Sequence, residues 1–160
     1  MQYPLQEITL DGTGLRIGII VARYNWHITG ALLALTRQEL IRLGSAEDQI
    51  HVIYAPGAYE LASISQVMAS THKYDAIICI GCVMKGATRH DVIVGDAAAQ
   101  GIQRVALDTG VPIIFGVQCA ENEQQAEERI ARGTEFAHAA IETVRTIQML
   151  KSEAQIIPIG

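Results

Sequence analysis

Aromatic residues are scarce in this 160-residue chain: one tryptophan, five tyrosines and two phenylalanines. The core must therefore be assembled from Ala, Ile, Val and Leu, the residues of fully covered strands and closely packed helices. Charge is also sparse, with 18% charged residues and a formal net charge of -5. That balance, without clustered Lys and Arg, excludes nucleic acid as the partner class, because phosphate backbones are held by dense positive charge. The three cysteines are an odd number and are not spaced as a disulfide framework. No apolar run reaches membrane-spanning length. Met1 to Glu7 has neither a basic start nor an apolar block, so no signal peptide is read there and a cytoplasmic chain is expected. His27, His51, His72 and His138 show no metal-ligand spacing. A phosphate-cradling glycine loop of the nucleotide type is also missing. Neither a metal nor a cofactor is expected.

What the chain does hold is apolar residues, 49% of the total. Its mean hydropathy of +0.21 is high for a small monomer and points to apolar surface buried between subunits. Leu15 to Ala22 is a continuous apolar run that predicts a buried strand, and Ile28 to Leu43 repeats apolar residues at helical spacing before Gly44 stops the helix. Gln49 to Ala55 predicts a second strand and Glu60 to Ser70 a second helix. Asp75 to Gly81 predicts a third strand, Val92 to Thr109 a third helix ended by Gly110, and Val111 to Val117 a fourth strand. Gln118 to Glu123 reads as a loop. Gln124 to Lys151 reads as helix, and Ser152 to Gly160 as a loose end or docked strand. Strand–helix alternation of this kind predicts an α/β chain: a three-layer α/β/α sandwich on a four-stranded parallel sheet. No linker or repeat divides it, so 1–160 is read as a single domain, with an N-terminal arm over 1–14 and a tail over 152–160.

In such sheets ligands sit beyond the carboxyl ends of the strands. The unusual residues gather there, in Arg23 to His27, Pro56 to Glu60, Gly81 to His90 and Phe115 to Cys119. The third of these reads as a strand-to-helix turn running from Gly81 to Asp91. It offers glycines for close backbone approach, Lys85, Thr88, Arg89 and His90. Amides at the start of the following helix suit an anion, and a histidine gives and takes protons near neutral pH. The local reading is an anion pocket beside a general acid/base. Each element also has a plainer reading. Thr88 is a common helix cap, Glu60 suits any first helical turn, and Arg129 in Glu127-Glu128-Arg129 reads as half of a surface ion pair. Trp26 fits a ring-stacking or an interface role equally. Cys79 and Cys82 have redox spacing, but Cys79 falls within the strand rather than at a helix N-terminus, which argues against a reactive dithiol.

Taken in order, these segments resemble the lumazine synthase family of riboflavin biosynthesis. Arg23-Tyr24-Asn25 is similar to its Arg-aromatic-Asn turn, and Pro56-Gly57-Ala58-Tyr59-Glu60 to its Pro-Gly-Ala-aromatic-Glu motif. Tyr74-Asp75-Ala76, the Gly81 to His90 turn, Pro112 to Val117 and Gln125 to Arg129 follow in register. The resemblance implies a flavodoxin-like strand order and an N-terminal arm that adds a strand to a neighbouring subunit. It implies condensation of 5-amino-6-(D-ribitylamino)uracil with 3,4-dihydroxy-2-butanone 4-phosphate to 6,7-dimethyl-8-ribityllumazine, the penultimate step of the pathway, without cofactor or metal. His90 would be the proton shuttle. Arg129 with Ala87 and Thr88 would hold the phosphate, and Tyr24 would stack on the pyrimidine. Glu60 with the backbone of Ala58 and Tyr59 would hold the ribityl chain. Val83 and Met84 would meet the ring through backbone groups, with Asn25 and Lys85 among the substrate-binding residues and Phe115 closing the pocket from a neighbouring subunit. The resemblance further implies a homopentamer or a multiple of one, active sites at subunit interfaces, and riboflavin synthase as a further partner.

The match departs from the family after Arg129. Ile130-Ala131-Arg132-Gly133 replaces a longer glycine-containing kink, and Arg132 stands where the family has Lys. Without the kink, Gln124 to Leu150 is expected to run as one nearly unbroken helix, and a free pentamer or another assembly replaces the icosahedral shell. The departure also motivates a second reading: a non-catalytic homologue that binds a flavin or forms an assembly. A third, a related condensing enzyme such as the archaeal-type riboflavin synthase, would not need the phosphate site at Arg129.

Overall fold

The computed structural model describes residues 2–156. Its elements are β1 (Ile17–Ala22), α1 (Trp26–Arg42), β2 (Ile50–Ala55), α2 (Leu61–Ser70), β3 (Ala76–Met84), α3 (His90–Thr109), β4 (Ile113–Ala120), α4 (Glu123–Glu128) and α5 (Gly133–Ile156). The four strands form one sheet in the order β2-β1-β3-β4. All three pairings are parallel, with Ile17 level with both Ile50 and Ala76, and Ile77 level with Ile113. The predicted α/β sandwich and its strand order are thus observed.

The central strands explain the architecture. Every residue of β1 is buried, as are all residues of β3 except its last, Met84. Neither strand carries a charged side chain, so helices can cover both faces. Successive residues face opposite layers. Ile17, Ile19, Val21, Ile78 and Ile80 pack with Leu32 of α1 and Ile141 of α5. Ile20, Ile77 and Cys79 pack with Leu61 and Met68 of α2 and Ile102 of α3. Gly44 and Gly110, with φ of 105° and 74°, end α1 and α3 in the left-handed region that glycine enters without penalty.

Four expectations need correction. β3 runs on through Met84, so Gly81 to Met84 is strand and the turn is confined to Lys85 to Arg89. β4 likewise extends to Ala120, consuming half of the expected loop. The reason is mutual: Cys82, Val83 and Met84 pair with Gln118, Cys119 and Ala120, so each strand supplies the other's backbone partners. The helix expected from Gln124 to Leu150 is broken. α4 ends at Glu128, a 3₁₀ turn spans Ile130–Arg132, and α5 begins at Gly133. The break lets α5 start against α1 at a distance only glycine permits. A Cβ at Gly133 would lie 2.7 Å from the Leu32 carbonyl oxygen and 2.9 Å from the Leu35 Cβ. The Thr36 hydroxyl, shared with the Leu32 carbonyl, donates to the Gly133 carbonyl at 2.9 Å. Finally, residues 152–156 continue α5 rather than forming a loose end or strand, and 157–160 lie outside the described residues. Gln2 to Leu10 form no strand within the chain.

A charged cluster joins α1 to α5. Glu39, 8% exposed, accepts hydrogen bonds from Arg42 Nη2 at 3.0 Å and from His138 Nε2 at 2.5 Å. Arg42 foremost, and His138 after it, hold the Glu39 carboxyl at about 2, below its ordinary 4.5. A depressed carboxyl stabilises the fold above its unfolded value and loses that contribution as pH falls from about 4.5 through about 2. Urea midpoints of the wild type should therefore fall more steeply across that window than those of Glu39→Gln. Gly133→Ala should lower stability by about 1–3 kcal/mol, read in the same unfolding experiment, because the added methyl forces α5 away from α1.

Candidate functional site

Three strand ends converge to form the site. After β1, the Arg23 amide donates to the Ala55 carbonyl at 2.8 Å and the Tyr24 amide to the Pro56 carbonyl at 3.0 Å, which ties this turn to the end of β2. Asn25 occupies the left-handed region, with φ 60° and ψ 44°, and its carbonyl accepts from Ile28 and Thr29 to start α1. Asparagine tolerates that conformation better than most side chains. The buried Thr29 hydroxyl donates back to the Ala22 carbonyl at 2.7 Å.

After β2, Gly57 leads into a 3₁₀ turn over Ala58–Glu60. The Gly57 amide donates to Glu60 Oε1 at 3.1 Å, so one carboxylate oxygen is held by its own turn. A Cβ on Gly57 would lie 2.6 Å from the Tyr24 ring, so the ring rests directly on the glycine backbone. After β3, the Lys85 amide donates to the Ala120 carbonyl at 2.9 Å, and Lys85 Nζ pairs with Glu121 at 3.3 Å. The exposed Lys85 to Arg89 turn then delivers His90 as the first residue of α3. The His90 amide donates to the Thr88 hydroxyl at 3.4 Å, a long contact within the turn; the cap position of α3 is Arg89, without a side-chain cap, so Thr88 is not the helix cap the sequence suggests.

These segments enclose a cleft of about 410 Å³ lined by Tyr24, Gly57, Ala58, Tyr59, Glu60, His90, Ile93 and Val94. Tyr24 and Tyr59 are largely exposed, at 68% and 64%. Ring faces, a carboxylate and an imidazole on mostly apolar walls suit a planar ring with a polar chain, and His90 can exchange protons with it. Ile93 and Val94 escaped the sequence reading. Their signal was helical spacing, since residues three and four beyond His90 share its face.

The other candidate residues lie elsewhere in the chain. Val83 is buried in β3 and Met84 partly so, and neither lines the cleft. Ala87 and Thr88 are exposed in the turn and do not line the cleft. Phe115 stands on the edge strand β4, 42% exposed. Arg129 donates to the Cys119 carbonyl at 2.9 Å, at the end of β4, and Arg132 is exposed in the 3₁₀ turn. Phe115 and Arg129 therefore stand at β4 and Arg132 in the turn between α4 and α5, and none of the three lines the Tyr24–His90 cleft. Among the described residues, no group of three or more His, Cys, Asp or Glu is placed to hold a metal ion, and no helix is long and apolar enough to cross a membrane.

Cys79 and Cys82 lie three apart on a strand and so face opposite layers, each in a different core cluster. Burial pushes the Cys79 thiol up to about 12 and the Cys82 thiol to about 11. Cys119 is exposed, and its thiol is raised first by partial burial and then by Asp91 and Asp96, against Arg129.

The 6,7-dimethyl-8-ribityllumazine synthase family model matches residues 14–148, and the chain belongs to that family. Within it, the Cys-x-x-Cys spacing is packing rather than redox chemistry. Alkylation of the native protein should accordingly modify Cys119 alone, and Cys79 and Cys82 should react only after unfolding, as read by mass spectrometry. Native labelling of either strand cysteine would contradict the burial described.

Proposed function

We propose that the chain catalyses the family's condensation of 5-amino-6-(D-ribitylamino)uracil with 3,4-dihydroxy-2-butanone 4-phosphate to 6,7-dimethyl-8-ribityllumazine. The observation that carries this reading is the meeting of Tyr24, Glu60 and His90 in one cleft at the strand ends. The Tyr24 ring, seated on Gly57, offers a flat face for the pyrimidine. Glu60 keeps a carboxylate oxygen free of the Gly57 contact and, with the backbone of Ala58 and Tyr59, suits the hydroxyls of the ribityl chain. Val83 and Met84 offer backbone groups at the end of β3.

In this reading the free amine of the pyrimidine attacks the ketone, and loss of water gives an imine. Phosphate then leaves, and the ribitylamino nitrogen closes the second ring with loss of a further water. Every one of these steps moves protons, and His90 on the cleft wall is the group suited to carry them. Phosphate departure is favoured by fixed positive charge where negative charge collects. Arg129 with the Ala87 and Thr88 amides supplies it in this proposal, with Lys85 and Arg132 as further cations. Because Phe115 and Arg129 stand apart from their own chain's cleft, the proposal assigns them to the cleft of a neighbouring copy. The functional unit is then a homo-oligomer, a pentamer or a multiple of it, with shared sites. Holding two substrates together removes much of the entropic barrier, a contribution that remains when a single side chain is lost.

Formation of the lumazine, followed by absorbance from the two substrates, tests the proposal. His90→Ala should lower kcat by roughly tenfold to a hundredfold, at the mild end for general acid–base catalysis because positioning survives. Arg129→Ala should reduce kcat/KM for the phosphate substrate by about a hundredfold or more. Absence of turnover in the wild type, together with tight riboflavin binding, would replace this reading with that of a non-catalytic flavin-binding homologue.

A further inference from the structure

Asn25 departs from the usual behaviour of a residue at a helix start. Asparagine there ordinarily turns its side chain onto the first free amides of its own helix. Asn25 does not: its side chain makes no capping bond to α1. Its amide nitrogen instead donates to the Cys82 carbonyl of β3 at 2.9 Å, across 57 positions of sequence. The residue also carries φ 60°, and one other described non-glycine residue, His72, shares that sign. A helix cap and an unstrained backbone are thus both given up for one bond to the neighbouring strand end.

That bond has a specific geometric consequence. Tyr24, immediately before Asn25, is already joined to the β2 end through the Pro56 carbonyl and the Gly57 surface. Cys82 immediately precedes Val83 and Met84. The Asn25 amide therefore closes a bridge from the β1 turn to the end of β3, with Tyr24 on one side and the Val83–Met84 backbone on the other. The bond thereby fixes where the turn that carries the cleft residue Tyr24 sits against the end of β3.

We propose that Asn25 is a positioning residue that holds the Tyr24 turn against the end of β3, and that it acts through the bridge rather than by contacting the ligand. The inference rests on the functional reading above for its kinetic consequence, but not for the bridge itself. Ring-substrate binding then depends on Asn25, while binding of the phosphate substrate does not.

Asn25→Gly keeps the left-handed backbone and removes the bridge. Asn25→Asp keeps the size and the local tolerance but presents an acceptor to the Cys82 carbonyl, so it opposes the bridge. Both should remain folded by circular dichroism. In both, KM for the ribitylaminouracil should rise about tenfold, the loss of one hydrogen bond's worth of positioning, with KM for the butanone phosphate within about twofold of wild type. Equal rises in both KM values, in step with a lowered melting temperature, would mark Asn25 as merely structural and overturn the proposal, as would unchanged KM values. A readout independent of activity uses Trp26, the chain's one tryptophan and the neighbour of Asn25. Acrylamide quenching of the ligand-free protein should increase in Asn25→Gly as the turn loosens. If wild type shows no turnover, the functional reading fails while quenching still decides the bridge, and unchanged quenching would overturn it.

Discussion

The constraint on which the molecule depends is the complete burial of two adjacent parallel strands. β1 and β3 lie side by side with helices on both faces, so every side chain along them short of Met84, at the end of β3, is kept from water. An unpaired polar group placed there would carry the full cost of desolvation, roughly 1–3 kcal/mol from mutational data. Chemistry is therefore displaced to the places where the strands stop. The parallel register brings those stops to one end of the sheet, and the ring, carboxylate and imidazole of the cleft come from three successive turns there. The scarcity of aromatic residues in the chain follows the same division: the core is mostly Ile, Leu, Val and Ala, with Phe136 among its buried members, and Tyr24, Trp26, Tyr54 and Tyr59 stand exposed near the strand ends.

Glycine contributes closeness rather than flexibility at two decisive points. At Gly57 it lets the Tyr24 ring lie on the backbone, and at Gly133 it lets α5 begin against the carbonyls of α1. The second contact breaks the helix that apolar periodicity alone predicts, since α4 and α5 cannot share an axis once α5 starts so near α1. α1 is held to that C-terminal unit twice more, by His27 with Glu123 and by Glu39 with His138. The short segment after Arg129 is thus a compact 3₁₀ turn between two anchored helices.

The two groups of candidate residues in one chain give membership of the family a concrete form. Tyr24, Glu60 and His90 line a cleft, and Phe115 and Arg129 stand on the β4 side. The mean hydropathy of +0.21 and the exposed Val67, Ile93 and Leu107 are in keeping with a chain that buries more apolar surface against its own copies.

By itself, the sequence determined the class of fold, the order of its elements and three of the turns whose residues meet in the cleft. Continuous apolar runs, helical spacing and helix-ending glycines are local signals, and each depends on residues a few positions apart. It did not determine where β3 and β4 end, because their last residues are held by each other's backbone and neither run is decisive alone. Nor could it reveal the break before Gly133, which is set by the Leu32 carbonyl about a hundred positions away. The bond from Asn25 to Cys82 is likewise invisible in sequence, where asparagine before a helix reads as an ordinary cap. Only the tertiary structure decided these features, because each is an interaction between groups that the chain brings together solely by folding.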